Sequence, residues 1–272
     1  MEAIKSTSLK DILSISIVYH NNDDYLEKVL VQVLPIFRGI EAKVFLIDNA
    51  STDKSSKILD RLVPRDDPWI TRVVSGQNLG FGRAHNLVLD RIHSRYHLIC
   101  NPDILLEDAS PLTKCLAFMD DIPEVGLSTV RLLNPDGSLQ ATNKQFPNVL
   151  DHFLRRFCSG IRWSLIRHRM ESYEMRDVGY ESIIDVPFVT GAFMMVRTDL
   201  LKAVGGFDPR YFLYFEDADL CRKIQITHRT VYYPYASVIH LWERAAHKHF
   251  STGRIFVESG IRYFNKWGWK LV

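Results

Sequence analysis

At 272 residues the chain can bury a full core, and its 46% apolar and 24% charged composition excludes disorder as the default state. The formal charge of +2 is too small to point to nucleic acid, and no such partner is expected. Four widely separated cysteines without a C-x-x-C pair argue against a zinc site or disulfide framework. No apolar run reaches the roughly 18 residues of a membrane span, so a reducing, cytoplasmic setting is expected.

The first half of the chain alternates two hydrophobic periods. Residues 12–19 (ILSISIVY) form a β-branched apolar run of the kind buried on both faces of a sheet. Over residues 23–34, Tyr25, Leu26, Val29, Leu30 and Val33 recur at helical spacing. Residues 44–47 give a second buried strand, and the polar run from Asp48 to Asp53 supplies caps for a helix over 54–62. A third strand (70–75), a helix (81–92) and a fourth strand (97–100) follow. This βαβαβαβ series predicts an α/β fold with a mainly parallel sheet flanked by helices. In the second half, the turn Asn134-Pro135-Asp136-Gly137 separates strands expected over 125–133 and 138–142. Two more strands are expected over 183–187 and 192–196. The irregular stretch 143–182 is too long for an ordinary connection and reads as a functional insertion. From about residue 246 the pattern is helical.

Open sheets of this kind bind ligands beyond the carboxyl ends of their strands. Three such ends carry polar clusters: His20-Asn21-Asn22, Asp48-Asn49 and Asn101-Pro102-Asp103. One polar strand end is ordinary; three on one rim point to a ligand. A carboxylate such as Asp103 can hold Mg²⁺ or Mn²⁺, which take oxygen ligands and bridge diphosphate oxygens. Farther on, Tyr211, Phe212, Tyr214 and Phe215 lead into Glu216, Asp217 and Asp219 at a helix start. The helix dipole accounts for two of these acids. A third, behind an aromatic wall, points to a general base tuned by partial burial.

Six segments in order carry a family resemblance: IVYHN (17–21), FLIDNASTD (45–53), NLGFGRAHN (78–86), NPD (101–103), VTGAFMMVR (189–197) and GGFDPRYFLYFEDADLCRK (205–223). Together with the strand-borne His240 they resemble inverting glycosyltransferases of family 2, in the bacterial rhamnosyltransferase-like branch. The resemblance implies a GT-A fold over residues 1–245, with a donor-binding half (about 12–105) and an acceptor and catalytic half (about 106–245). A basic amphipathic helix over 246–272 would follow. It also implies site roles. Asp48 would hydrogen-bond the donor's pyrimidine, with Tyr19 and Asn21 in the loop that cups the nucleotide. Asn78, Gly80, Arg83 and Asn86 would lie along the donor diphosphate and sugar. Asp103 stands as the last carboxylate of a D-x-D metal motif, for Mg²⁺ or Mn²⁺. Asn101 replaces the first Asp and would act through water or by supporting a ligand. A lone histidine on an apolar strand is ordinarily a satisfied core residue, but the resemblance makes His240 a further metal ligand. Asp217 would be the base, beside Glu216, in a single displacement by an acceptor hydroxyl. The implied donor is dTDP-L-rhamnose, with UDP-galactose, UDP-galactofuranose and UDP-N-acetylhexosamines as alternatives.

The basic residues are unevenly placed. Residues 151–170 hold Arg155, Arg156, Arg162, Arg167 and Arg169, and the tail holds Arg244, Lys248, Arg254, Arg262, Lys266 and Lys270. In the tail Val257, Ile261, Phe264 and Trp267 would share one helical face. These segments read either as solvated faces of packed helices or as a peripheral surface against anionic lipid. The second suits the resemblance, which implies a glycan or polyprenyl-diphosphate-linked acceptor at the inner face of the membrane. A dinucleotide oxidoreductase is disfavoured because Gly80-Phe81-Gly82 lacks a third glycine and follows the third strand. A nucleotidyltransferase would need a Gly-rich loop where His20-Asn21-Asn22 stands. An inactive carbohydrate-binding module would not need Asp103, Asp217 and His240 together.

Overall fold

The computed structural model describes residues 9–150, 164–241 and 250–271. The expected parallel half is present. Strands β1 (Leu13–Tyr19), β2 (Lys43–Asp48), β3 (Ile70–Val74) and β4 (Tyr96–Cys100) pair in parallel in the order β3-β2-β1-β4. Every residue of β1 and of β4 is buried, as strands covered on both faces require. Two serines inside β1 are tolerated because His97 bonds both: Nδ1 meets Ser14 Oγ at 2.7 Å and Nε2 meets Ser16 Oγ at 2.8 Å. Helices α1 (Asp23–Gly39), α2 (Ser55–Leu62) and α3 (Phe81–Asn86) connect these strands.

Several boundaries differ from the sequence expectation. Helix α1 runs past Pro35, because burial of Val33, Leu34 and Phe37 on one face outweighs the hydrogen bond that proline removes. The helix expected over 81–92 stops at Asn86 and resumes only as a 3₁₀ turn at Leu89–Arg91. The strand expected over 138–142 is reduced to one bridge between Leu133 and Leu139. The insertion contains a short strand, β7 (Asn143–Lys144), and a helix, α5 (Ser164–Tyr173), after α4 (Ser110–Asp121).

Strand direction in the second half decides where the site forms. The sheet continues β4-β10-β6-β11-β5, with β5 (Ile104–Leu105), β6 (Val125–Leu133), β10 (Phe193–Arg197) and β11 (Arg229–His240). Strand β8 (Ile184–Asp185) pairs with β11, and β9 (Phe188–Val189) pairs with β7 in a separate ladder. Strand β10 is antiparallel to both β4 and β6, so β6 runs parallel to β4, and β11 is parallel to β6. The carboxyl end of β11 therefore arrives at the same rim as those of β1, β2 and β4. A register shift between Tyr233 and Ser237, where Pro234 cannot donate to the ladder, lets β11 reach β5. There His240 pairs with Ile104, one residue beyond Asp103.

Past β10, α6 (Thr198–Ala203) leads to the aromatic segment, and α7 (Glu216–Ile224) and α8 (Phe250–Trp267) close the core. Only half of the expected apolar face of the tail is covered: Phe264 is buried and Trp267 packs against the core. Val257 and Ile261 remain 49% and 44% exposed, while Ser259, Gly260, Tyr263 and Phe264 face inward against Phe215. Among the described residues no helix is long and apolar enough to cross a membrane.

Candidate active site

The donor rim is built from side chains that bind one another. Tyr19 closes β1 and is buried; burial and then the neighbouring Asp48 carboxylate push its phenol well above the usual range. Asp48 Oδ1 accepts the Ser51 amide at 2.8 Å, and Oδ2 accepts the Ser56 hydroxyl at 2.5 Å. Asn21, at φ 53°, accepts the Thr52 amide at 2.8 Å. These three residues thus shape the 48–56 loop before any ligand arrives. Asn78 Oδ1 accepts from Gly80 N and from Asn49 Nδ2. Asn49 also accepts Leu79 N at 2.8 Å, which fastens the 78–80 loop to the end of β2. The sequence marked Asn49 only as part of a polar strand end, and its loop-holding role is visible only in the fold.

Gly80 has φ 80°, and a Cβ there would sit 1.8 Å from the Phe212 carbonyl oxygen. Only glycine allows this approach, and the Phe81 amide donates to that same carbonyl at 3.1 Å. Donor loop and aromatic segment are thereby joined backbone to backbone. Asn86 strengthens the same joint: its amide donates to Phe207 O at 2.7 Å and accepts Phe207 N at 2.9 Å. Both ends of that side chain are engaged, so Asn86 positions the aromatic segment. Arg83 is half-buried on α3 and has no ion pair among the described residues.

The metal candidates meet at the β5–β11 junction. Asp103 is 6% exposed, and its Oδ1 has no hydrogen-bond partner. That oxygen lies 3.3 Å from His240 Nε2. His240 Nδ1 is 2.8 Å from Gln140 Oε1, while Gln140 Nε2 donates to the carbonyl oxygens of His240 and of the Asn134 side chain, each at 2.8 Å. Two acceptors around Nε2 fix the Gln140 amide, so Oε1 accepts from Nδ1–H and the His240 ring turns its Nε2 toward Asp103. A buried carboxylate oxygen without a hydrogen bond among the described residues, 3.3 Å from an imidazole nitrogen, is a donor set that fits Mn²⁺ or Mg²⁺. Among the described residues no group of three His, Cys, Asp or Glu side chains could hold a metal ion, and Asp103 and His240 are the two candidate ligands they bring together. Gln140 was missed in the sequence because it falls in the predicted 138–142 strand, where it reads as filler.

The acid pair opens α7. Tyr214 and Phe215 both adopt left-handed backbone (φ 70° and 69°), unusual for aromatic residues. Phe215 is held there by Phe256, Tyr263 and Phe264 of α8. The kink sets Glu216 inside, 5% exposed and with Oε2 unsatisfied. Burial and then the neighbouring Asp217 charge push Glu216 up to about 8. Asp217 is half-buried; its Oδ2 accepts Gly191 N at 3.3 Å and Oδ1 accepts Ala218 N at 2.8 Å. Burial raises its pKa, opposed by the Lys144 charge and by those amides. The two acids titrate as a pair and both are pushed up; the two amides and the Lys144 charge favour the ionised form at Asp217, while Glu216 Oε2 has no such partner among the described residues. Asp219 is different: fully buried, it accepts Lys266 Nζ and Trp267 Nε1 from α8 and is structural.

One strand end ties these parts together. Asn101 N donates to Ala192 O at 3.0 Å, and the adjoining Gly191 N donates to Asp217. The Asn101 side chain forms no hydrogen bond among the described residues. Arg155, Arg156, Arg162, Arg244 and Lys248 lie outside the described residues, as does the side chain of Arg167.

Comparison with known proteins agrees with this arrangement. N-acetylglucosaminyl-diphospho-decaprenol L-rhamnosyltransferase of Mycobacterium tuberculosis is 27% identical over 264 residues, covering 90% of this chain and 79% of that protein. Rhamnosyltransferase WbbL of Escherichia coli K12 is 27% identical over 260 residues, covering 92% and 91%. The mannosyltransferase PcManGT from Pyrobaculum calidifontis, solved with GDP-Man and Mn²⁺, superposes with a TM-score of 0.57 at 18% identity. It covers 86% of this chain and 57% of its own, and shares the GT-A fold. The profile described as "Glycosyl transferase family 2" matches residues 14–205, more than half of the 272, and the chain belongs to that family.

Proposed function

We propose that this protein is an inverting, divalent-metal-dependent rhamnosyltransferase. It moves L-rhamnose from dTDP-L-rhamnose to a hydroxyl of a sugar carried on a polyprenyl diphosphate, in cell-surface polysaccharide synthesis. The observation that carries the reading is the arrangement of one rim. Asp103 and His240, the 78–83 loop, and the Glu216–Asp217 pair converge there through the Asn101–Ala192 and Gly191–Asp217 hydrogen bonds. The names of the two rhamnosyltransferase relatives supply donor sugar and acceptor class.

Asp217 removes the proton of the acceptor hydroxyl as its oxygen attacks the anomeric carbon. The bond from that carbon to the diphosphate breaks, the configuration inverts, and the nucleoside diphosphate leaves with the electron pair. The proton ends on Asp217. A divalent ion on Asp103 and His240, when bound, supplies electrostatic stabilisation of the leaving diphosphate. Glu216, still protonated near neutral pH, spares Asp217 a second adjacent charge. Asp48, Tyr19 and Asn21 hold the loop that receives the nucleotide base, and Arg83 offers an unpaired charge to the diphosphate.

The test is release of nucleoside diphosphate with a short-chain N-acetylglucosaminyl-diphospho-prenol as acceptor. The donors compared are dTDP-L-rhamnose, UDP-galactose, UDP-galactofuranose and UDP-N-acetylglucosamine, each with and without Mn²⁺ or Mg²⁺. Turnover of dTDP-rhamnose alone supports the assignment; turnover of a UDP-sugar without it replaces the donor and leaves the mechanism. Peripheral contact with the inner face of an anionic membrane belongs to the same reading, because such an acceptor is embedded in lipid.

A further inference from the structure

A cavity is lined by residues of the insertion, α5, α7 and Lys270, none of them from the nucleotide rim. It encloses about 550 Å³, within the range of small-ligand sites. Its wall includes Phe146, Tyr173, Arg169, Arg222 and Lys270, three cations and two aromatic rings. The walls are tied backbone to backbone. Gln145 N donates to Tyr173 O at 2.9 Å, and Val149 N donates to Lys270 O at 3.0 Å, so the insertion, α5 and the chain's end form one frame.

Two of these cations, Arg222 and Lys270, have no carboxylate partner among the described residues. The Arg222 guanidinium lies 4.0 Å above the Phe146 ring, with Trp267 and Tyr263 at 5.4 and 5.5 Å, and its Nε donates to the Tyr263 hydroxyl at 2.6 Å. Aromatic faces orient a guanidinium but do not neutralise it. Neither Arg222 nor Lys270 pairs with a carboxylate among the described residues, and the acid one turn before Arg222, Asp219, is occupied by Lys266 and Trp267. A preoriented cation beside an apolar wall suits an anion joined to an apolar chain.

The cavity is also placed correctly with respect to the chemistry. Arg222 follows Asp217 on α7 by five residues, about 7.5 Å along the axis. Lys144, whose charge acts on Asp217, immediately precedes Gln145 in the cavity wall. The cavity wall thus adjoins the acid pair through α7 and through Lys144.

We propose that this cavity is the acceptor's diphosphate subsite: Arg222 and Lys270 grip the diphosphate of a prenyl-diphosphate-linked sugar, and Phe146 and Tyr173 receive the start of the prenyl chain. The proposal rests on the lipid-linked acceptor of the functional reading and adds where that acceptor is held. The general chemistry recognised is a diphosphate, and three sources are separable: a prenyl diphosphate, a free anion and a lipid headgroup.

The experiment is calorimetric binding to the full chain, with excess nucleoside diphosphate filling the donor rim. The probes are farnesyl diphosphate, farnesol, inorganic pyrophosphate and phosphatidylglycerol vesicles. Farnesyl diphosphate should bind, with farnesol and pyrophosphate each much weaker. Lys270→Gln and Arg222→Gln should each weaken farnesyl diphosphate by about tenfold or more, and Arg222→Lys should recover part of the loss. Lys270 is exposed near the chain's end, so Lys270→Gln remains informative if Arg222→Gln unfolds. Equal binding by wild type and Lys270→Gln overturns the proposal. So does farnesol binding as well as farnesyl diphosphate, which makes the site purely apolar. Pyrophosphate binding as tightly as farnesyl diphosphate makes it a free-anion site, and loss confined to vesicles makes it a headgroup contact; both overturn it. In turnover assays the acceptor KM should rise by the same factor in both Gln variants. If no lipid-linked acceptor is turned over but the binding losses appear, the functional reading fails and the subsite stands. Turnover with an unchanged acceptor KM does the reverse.

Discussion

Asp217 accepts hydrogen bonds from Gly191 and Ala218 under the field of Lys144, whereas Glu216 Oε2 is buried without a partner. These contacts favour the charge on Asp217, and burial without such contacts favours the proton on Glu216. Asp217→Asn keeps the shape and removes the base, so turnover should fall by about 10²–10⁴. Nucleotide binding, read by calorimetry, should stay near wild type. Near-normal turnover would move the proton to another group. Gln140 works at the same scale. By accepting Nδ1–H it holds His240 with Nε2 toward Asp103. Gln140→Ala frees the ring and should weaken Mn²⁺ binding about 10–100-fold in a titration with nucleoside diphosphate present. Asp103→Ala and His240→Ala should weaken it at least as much. Unaltered Mn²⁺ affinity in all three would place the ion elsewhere.

Among the elements, α7 and α8 depend on each other. Asp219 on α7 is fully buried, and Lys266 Nζ and Trp267 Nε1 of α8 are its partners. Lys266 also bonds Asp208, whose carboxyl lies far below its usual range through Arg210 first and then Lys266. Asp219→Ala leaves a lysine and an indole N–H unpaired at the joint. The cost should be about 3 kcal/mol, the low end for a broken buried pair because Lys266 keeps 23% exposure. A fall in Tm and faster hydrogen exchange in residues 259–267 would register it. Exchange unchanged in α8 would mean that Tyr263 and Phe264 hold the helix unaided. The left-handed Tyr214 and Phe215 depend on the same joint, so the variant should also lower kcat.

For the whole molecule, the acid pair makes stability depend on pH. The folded Glu216 pKa, about 8, lies above its ordinary 4.5, so the unfolded chain releases this proton first. Over that window the native state binds the extra proton, and stability falls as pH rises, by at most about 1.4 kcal/mol per pH unit. Glu216→Gln removes the dependence. Its Tm relative to wild type should climb between about pH 5 and pH 8, and a constant difference would show that Glu216 ionises normally. The proposed membrane contact also belongs to the whole surface. Replacing Arg155, Arg156 and Arg162 with Gln should weaken binding to anionic vesicles by about 1 kcal/mol per charge and flatten its salt dependence. Equal binding would assign those arginines to the acceptor diphosphate or to plain solvation. Lys266 and Arg262 of α8 are not free for lipid in the same way. One is ion-paired inside the α7–α8 joint, and the other donates to Arg210 O.

The sequence by itself determined the parallel half of the sheet, because strands buried on both faces must be continuous apolar runs and helices must repeat at their own period. Ordered short motifs likewise determined the family, with its proposed acids and metal ligands. Tertiary structure alone decided what cannot be expressed as local pattern. The reversal of β10, which returns β11 to the ligand rim and sets His240 beside Asp103, is a matter of strand pairing between residues 67 to 136 apart. The same holds for Gln140 behind His240, Asn49 and Asn86 as loop fasteners, and Asp219 as a helix anchor. Each is a polar side chain whose partner lies far along the chain, and only packing chooses that partner. In α8, period placed Val257 and Ile261 with Phe264 and Trp267, yet the aromatic cluster around Phe215 selected the face running through Ser259, Gly260 and Tyr263. Period says that a helix has a buried stripe; the surface it meets decides which stripe.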